Sequence, residues 1–329
     1  MATALAVPPS KQINKTANPT DWQLTTDANC TCYLTNGSTP SYYSHHKFFD
    51  FRRLGRYAGT PPIIQSVSEN AIAPPTSEFF ASDAWSSMWQ AQTWNNSEVI
   101  QINDSVVSGS DATVLMLNTH NNIYIDADTK DNTSTAETYM VLRTARAGAF
   151  QSAAEIDSVS AGFHYMSIRM YARTVGAPGA VTALFTYRPP ANDSQTIQEA
   201  DLEICTGDPE NRIQLTNQPS HNTDGELLPQ ATHNATMPVN KAWSKWATYR
   251  MDWTPGATTW YVDGVLVATI KSQVPRDPSY VILNSWSNGG SWSGVMADGK
   301  AAELQVQWIE MVFNNTDAKY KPPLGACSN

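Results

Sequence analysis

The run Glu199-Ala200-Asp201-Leu202-Glu203-Ile204 alternates acidic and apolar residues without a break. In an extended strand successive side chains point to opposite faces. Ala200, Leu202 and Ile204 therefore share a face that can pack into a core, and Glu199, Asp201 and Glu203 share the other. Three carboxyls on one face repel one another, which pushes at least one pKa upward. One protonated and one ionised carboxyl is what glycoside hydrolysis needs: an acid for the leaving oxygen and a nucleophile for the anomeric carbon. An ordinary solvated strand with an acidic outer face would read the same over six residues, so the surrounding chain decides.

The period of two continues on both sides. Strands are expected over 112–118, 122–126, 138–145, 162–174, 180–188, 197–205, 211–216, 245–253, 257–262, 265–271, 280–285 and 303–313. In 162–174 the alternation puts His164, Met166, Ile168 and Met170 on one face and Phe163, Tyr165, Arg169, Tyr171 and Arg173 on the other. Asp263-Gly264 between apolar runs reads as a type I′ hairpin turn, and Asn36-Gly37 marks a second hairpin near the start. Residues 55–78 are rich in proline and read as a surface loop. Trp85, Met88 and Trp89 stand at helical spacing behind an Asp/Ser start, so a short helix within 82–94 is expected to bury them. Trp246, Trp253, Trp260 and Trp308 fall in alternating strands and are assigned to the core. Many strands and scarcely a long helix indicate an all-β, two-sheet antiparallel sandwich. Residues 1–28 read as an irregular lead-in, and 29–329 as a single domain.

Composition narrows the partners. The net charge of −9 argues against nucleic acid and against anionic membrane surfaces. No run approaches the length of a membrane-spanning helix. Eleven Trp, thirteen Tyr and nine Phe beside only 16% charged residues make the chain aromatic-rich, and its charge says little about a neutral polysaccharide. Asn-x-Ser/Thr acceptors at Asn14, Asn29, Asn36, Asn95, Asn103, Asn132, Asn192, Asn234 and Asn314 suit a secreted, extracellular glycoprotein. The start, Met1-Ala-Thr-Ala-Leu-Ala-Val, lacks a basic n-region and a full apolar h-region, and reads as a mature chain behind an added Met or as the stub of a signal.

Cys30 and Cys32 are too close to bridge each other without strain. Two connectivities stay open, joining them to Cys205 and Cys327 in either order. No Cys/His spacing resembles a zinc site.

Four blocks then form a pattern: Gly179-Ala-Val-Thr-Ala-Leu-Phe-Thr-Tyr187, Gln198-Glu-Ala-Asp-Leu-Glu-Ile204, Trp246-Ala-Thr-Tyr-Arg-Met-Asp-Trp253 and Trp260-Tyr-Val-Asp-Gly264. In order and spacing, over roughly residues 110–313, they resemble glycoside hydrolase family 16, secreted β-glucanases and transglycosylases on a concanavalin A-like jelly roll. Cys30 and Cys32, Phe48-Phe-Asp-Phe51 and Asn284-Ser-Trp-Ser-Asn-Gly-Gly-Ser-Trp292 further resemble the secreted fungal members. The resemblance implies Glu199 as nucleophile, Glu203 as acid/base and Asp201 between them, in a retaining endo-β-glycosidase of cell-wall β-glucan. The acidic motif lacks the inserted residue usual in members acting on pure β-1,3-glucan. It resembles the branch acting on mixed-linkage β-glucans, xyloglucan, or fungal wall glucan and chitin. The block before the active strand also lacks the Trp-Pro of many bacterial members. A transglycosylase with the same site, and a lectin-like glycan-binding module, are the alternatives. No cofactor is expected. Many relatives carry a structural Ca²⁺, for which this sequence shows no ligand cluster. The chain is expected to act as a monomer on its polysaccharide.

Sugar rings stack their C–H faces on aromatics. Trp286 and Trp292, flanking Asn288 in a glycine-rich loop after a strand, are expected on the rim of the cleft. Tyr187 and Arg188 lead into the active strand, and Gln218 and His221 follow the next one, placed to meet sugar hydroxyls.

Overall fold

The acidic run lies in a strand, and its Ala200, Leu202 and Ile204 are at most 1% exposed. The chain is described here by a computed structural model covering residues 30–70, 73–100, 110–129, 135–191 and 196–320, with the backbone of Leu5–Ala6. In chain order the strands begin with β1 Leu5–Ala6, β2 Tyr33–Leu34, β3 Tyr42–Tyr43 and β4 His45–Asp50. Two one-turn helices, α1 Val67–Asn70 and α2 Asp83–Ser86, precede β5 Trp89–Ala91 and β6 Leu115–Asn118. Then come β7 Ile123–Ala127, β8 Thr138–Ala147, β9 Phe150–Ser158, β10 Phe163–Gly176, β11 Val181–Arg188, β12 Gln198–Cys205 and β13 Arg212–Gln218. The last are β14 Thr232–Thr236, β15 Ala247–Thr254, β16 Ala257–Val262, β17 Val265–Ile270, β18 Tyr280–Trp286 and β19 Ala301–Asn315.

Two antiparallel layers face each other, as the alternation requires. The front layer runs β14-β13-β12-β11-β18-β9, with β5 on the free edge of β9. The back layer runs β17-β16-β15-β10-β19-β8, with β7 on β8 and β4 pairing the far half of β19. β9 belongs to both: Phe150–Ser152 pair with β8, and Ala154–Asp157 pair with β18. One nearly closed sheet thus wraps a core that includes Leu142, Ile156, Ile168, Leu184, Leu202, Trp253, Trp260, Leu283 and Phe313. This is an all-β jelly-roll sandwich.

The differences from the sequence reading have local causes. The expected helix over 82–94 is a single turn, because from Trp89 the chain hydrogen-bonds onto β9 as an edge strand. Trp85, Met88 and Trp89 are nevertheless buried together. In β10 the register with β19 skips between Phe163 and Met166, and Tyr165 takes a φ of +69°. This bulge puts Phe163 in the core with Met166, Ile168 and Met170, and His164 outside it. Trp253 and Trp260 are core residues, but Trp246 and Trp308 are half-buried on the outer face of the back layer, stacked on either side of Tyr171.

The cysteine expectation needs correcting. Cys205 is a buried free thiol at the end of β12, paired in the ladder with Val181. Cys30 packs instead against Tyr33, Tyr43 and Val312 at the back layer, so the width of the sandwich separates it from Cys205. Cys32 is disulfide-bonded. Cys327 lies outside the described residues, as do the acceptors Asn14, Asn29, Asn103, Asn132 and Asn192. Asn95 and Asn234 are exposed. The lead-in 1–28 also lies outside, apart from β1, which pairs with β2.

Candidate active site

Ladder register places the acidic face of β12. Glu203 is opposite Ala183 of β11, which is opposite Asn284 of β18, which is opposite Glu155 of β9. The next row is Asp201, Phe185, Ile282, Asp157 and then Gln90 of β5. Glu199 stands beside Tyr187 on one side and Gln218 of β13 on the other. Residues in register share a face, so all of these side chains line one concave floor crossing the strands.

Within that floor the three carboxyls have different surroundings. Burial pushes Glu203 up to about 8, the charge of Glu199 adds to this, and the indole N–H of Trp292, 3.1 Å from Oε2, opposes it. Burial raises Glu199 to about 7, against a hydrogen bond from Asp201 and with a further upward push from the charge of Glu155. Burial, then the charges of Glu199 and Glu203, hold Asp201 well above the usual carboxylate range. The hydrogen bond between them raises Asp201 and lowers Glu199, so Asp201 is the donor of that pair. Glu203 is thus raised more strongly than Glu199.

Glu155 and Asp157 were not found from sequence. Glu155 accepts from Trp94 Nε1 at 2.6 Å and Asn284 Nδ2 at 3.2 Å. Burial raises both carboxyls, Asp157 to about 7 with help from the charge of Glu155. With Trp94, Trp286, Asn96, Asn118, Asn284 and Asn288, Glu155 lines a cavity of about 250 Å³ on the β9 side of the acidic run. A signal was present: Glu155-Ile156-Asp157 repeats the acidic–apolar alternation of β12, between small residues that obscured a strand.

The other expected site residues divide. Trp286 and Asn288 meet in the cavity, and Trp292 reaches Glu203. Tyr187 and Gln218 flank Glu199, with Gln218 also accepting from Ser220 N at 2.7 Å. Arg188 alternates to the opposite face, where it donates to Pro278 O at 2.7 Å and lies 4.0 Å from Asp277. His221 is an exposed loop residue 3.2 Å from the hydroxyl of Ser220. Neither is brought to the carboxyls.

Curated proteins share part of this sequence. A β-glucanase of Paenibacillus macerans is 30% identical over 138 residues, 41% of this chain and 54% of the relative. A Crh-like protein 5 of Aspergillus fumigatus is 28% identical over 125 residues, 33% of this chain and 30% of the relative. The chain spans about half the length of the first β-glucanases it matches. A solved β-1,3-1,4-glucanase (lichenase) from a mouse hindgut metagenome has the same fold, with a TM-score of 0.50 at 17% identity over 82% of this chain and 99% of that one. The model of the glycosyl hydrolases of family 16 matches residues 117–310, which hold the whole acidic floor except β5 and Trp94. The chain belongs to that family.

Proposed function

We propose that the chain is a retaining endo-β-glycosidase acting on a cell-wall β-glucan of the mixed-linkage β-1,3-1,4 type or a close relative. One arrangement carries this reading: the middle carboxyl of β12 hydrogen-bonds Glu199 and lowers it, while burial lifts Glu203 to about 8 against the opposing indole N–H of Trp292. Glu199 is thus kept as the nucleophile and Glu203 as the acid.

In the first step Glu203 gives its proton to the glycosidic oxygen and an oxygen of Glu199 bonds to the anomeric carbon. The C1–O bond breaks and the leaving chain departs as an alcohol. In the second step the Glu203 carboxylate takes a proton from water, the water oxygen bonds to C1, and Glu199 leaves as carboxylate. Two inversions give net retention. The unbulged motif and the β-glucanase relatives support the substrate class. The cavity holding Trp94, Trp286, Glu155 and Asn284 offers a sugar both an aromatic lining and hydrogen-bonding groups. If a sugar hydroxyl replaces water, the same steps are transglycosylation. The exposed ring of Trp292 beside Glu203 gives an acceptor sugar somewhere to stack and favours this second reading. A pure lectin has no use for three crowded, mutually repelling carboxyls. The protein is read as a secreted, monomeric, single-domain glycoprotein.

NMR of barley β-glucan during early turnover tests the mechanism. The β-anomer should appear first, and an initial α-anomer would overturn the role of Glu199. Silence on barley glucan, laminarin, xyloglucan and chitin oligomers, with measurable glycan binding, would favour the lectin.

A further inference from the structure

Trp292 is 46% exposed, and few core contacts fix its ring. Its aim comes from the loop that carries it. Asn288 O accepts from Thr113 N at 2.9 Å and Val114 N at 3.0 Å, and Gly289 O accepts from Thr113 Oγ1 at 2.9 Å. Next to Trp292, both the N–H and the hydroxyl of Ser291 donate to Asp111 Oδ2, at 2.7 and 2.5 Å. The contact is close: a Cβ on Gly290 would collide with the Asp111 carboxylate, and one on Gly289 with Thr113 and Val114. Asp111 lies outside the region matched by the family model and some 90 residues before the active strand in sequence.

We propose that Asp111 is a positioning residue: by clamping Ser291 it fixes the loop that aims the Trp292 indole N–H at Glu203, and so sets the protonation range of the general acid. This rests on the reading of Glu203 as acid/base. A hydrogen bond donated to a carboxylate stabilises its charged form and lowers its pKa. Losing the clamp should therefore raise the pKa of Glu203, whereas losing only the negative charge of Asp111 should lower it. The two causes have opposite signs. The titratable groups facing Glu203 are Glu199 and Asp201 on its own strand, Cys205 at the strand's end, Glu155 across Ala183 and Asn284, and Asp208, which holds Gln214 on β13. None of these is altered by changing the exposed Asp111.

The test is the alkaline limb of kcat/KM against pH on barley β-glucan. Asp111→Ala should move the limb upward by roughly half to one pH unit, the size of one charge-assisted hydrogen bond to a partly exposed partner. Asp111→Asn keeps an acceptor for Ser291 and removes only the charge, so its limb should hold or move slightly downward, never upward. Trp292→Phe should shift it upward as Asp111→Ala does, and the double variant should shift no further than Trp292→Phe alone. Gly290→Ala presses the clamp open from the other side and should give the same upward shift, should Asp111→Ala fold poorly. A downward shift in Asp111→Ala, or a limb that coincides with wild type in both Asp111→Ala and Trp292→Phe, overturns the proposal. Full activity of Glu203→Gln would instead overturn the underlying role of Glu203.

Discussion

The indole N–H of Trp94 meets Oε1 of Glu155 at 2.6 Å, three strands away from Glu203 along the same row of the sheet. Burial raises Glu155 while the bonds from Trp94 and Asn284 oppose that rise, and its negative charge in turn raises Glu199. Glu155 therefore both lines the cavity and bears on the protonation of Glu199.

Glu155→Gln should separate those effects. Removing a negative charge that raises Glu199 lets it ionise at lower pH, so the acidic limb of kcat/KM should move down. Weakening a hydrogen-bonded cavity wall should also raise KM by about five- to tenfold, the size of one lost hydrogen bond. An acidic limb that moves upward would contradict the electrostatic link.

The two glutamates should respond differently to the leaving group. Glu203→Gln should lose about 10²–10⁴-fold on a polysaccharide, whose leaving hydroxyl needs a proton. It should keep much of the first step on an aryl β-glucoside oligomer, and azide should speed the stalled second step. Glu199→Gln should fail on both substrates, because no leaving group replaces a missing nucleophile. Asp201→Asn should lie between, since it supports Glu199 without bonding to the sugar. If Glu199→Gln cleaves the activated substrate and Glu203→Gln does not, the roles are reversed.

The carboxyls also weigh on stability. Glu199, Asp201 and Glu203 all have folded-state pKa values raised above those of the unfolded chain, chiefly by burial. The native state therefore binds more protons, and the stability this contributes is lost as pH rises through about 7 to about 8. Glu203→Gln, which cannot charge, should be more stable than wild type at pH ~8.5, by on the order of 1–3 kcal/mol, and nearly equal to it at pH ~4.5. Urea unfolding at the two pH values checks this, and equal differences at both would refute it.

Cys205 should behave as an inert thiol. Burial pushes it up to about 12, with the charges of Glu203 and Asp208 adding to the effect. A maleimide should label it only after denaturation, and rapid labelling of the native protein would show that the strand end opens. Reduction should lower the melting temperature through the disulfide of Cys32, which typically contributes about 2–5 kcal/mol.

Much of this was legible from the alternation alone. β12 reads as a half-buried strand because its two faces differ so sharply, and the apolar period of β11, β15 and β19 is equally plain. β9 was missed because Ser152-Ala-Ala154 lacks the branched and aromatic residues that mark strands. With it went half of the cleft floor. The helix expected at Trp85 stops after one turn because an edge on β9 was available to Trp89–Ala91, and no local spacing reports a distant edge. Arg188 was misjudged by one residue, which in a strand means the opposite face. The free thiol of Cys205 depends on which layer each cysteine occupies, and that is a property of the whole topology.

β18 lies between β11 and β9, and β19 lies between β8 and β10, so each layer is completed by a strand from the last fifty or so residues. During synthesis the chain emerges with its active strand already made but both layers split down the middle. Until residues 280–315 leave the ribosome, the inner edges of β11, β9, β8 and β10 have no partners, and Glu199 has no finished cleft to face. Vectorial folding can build hairpins here but cannot close them into a domain, so the nascent chain gains its core and its floor together, once β18 and β19 have emerged.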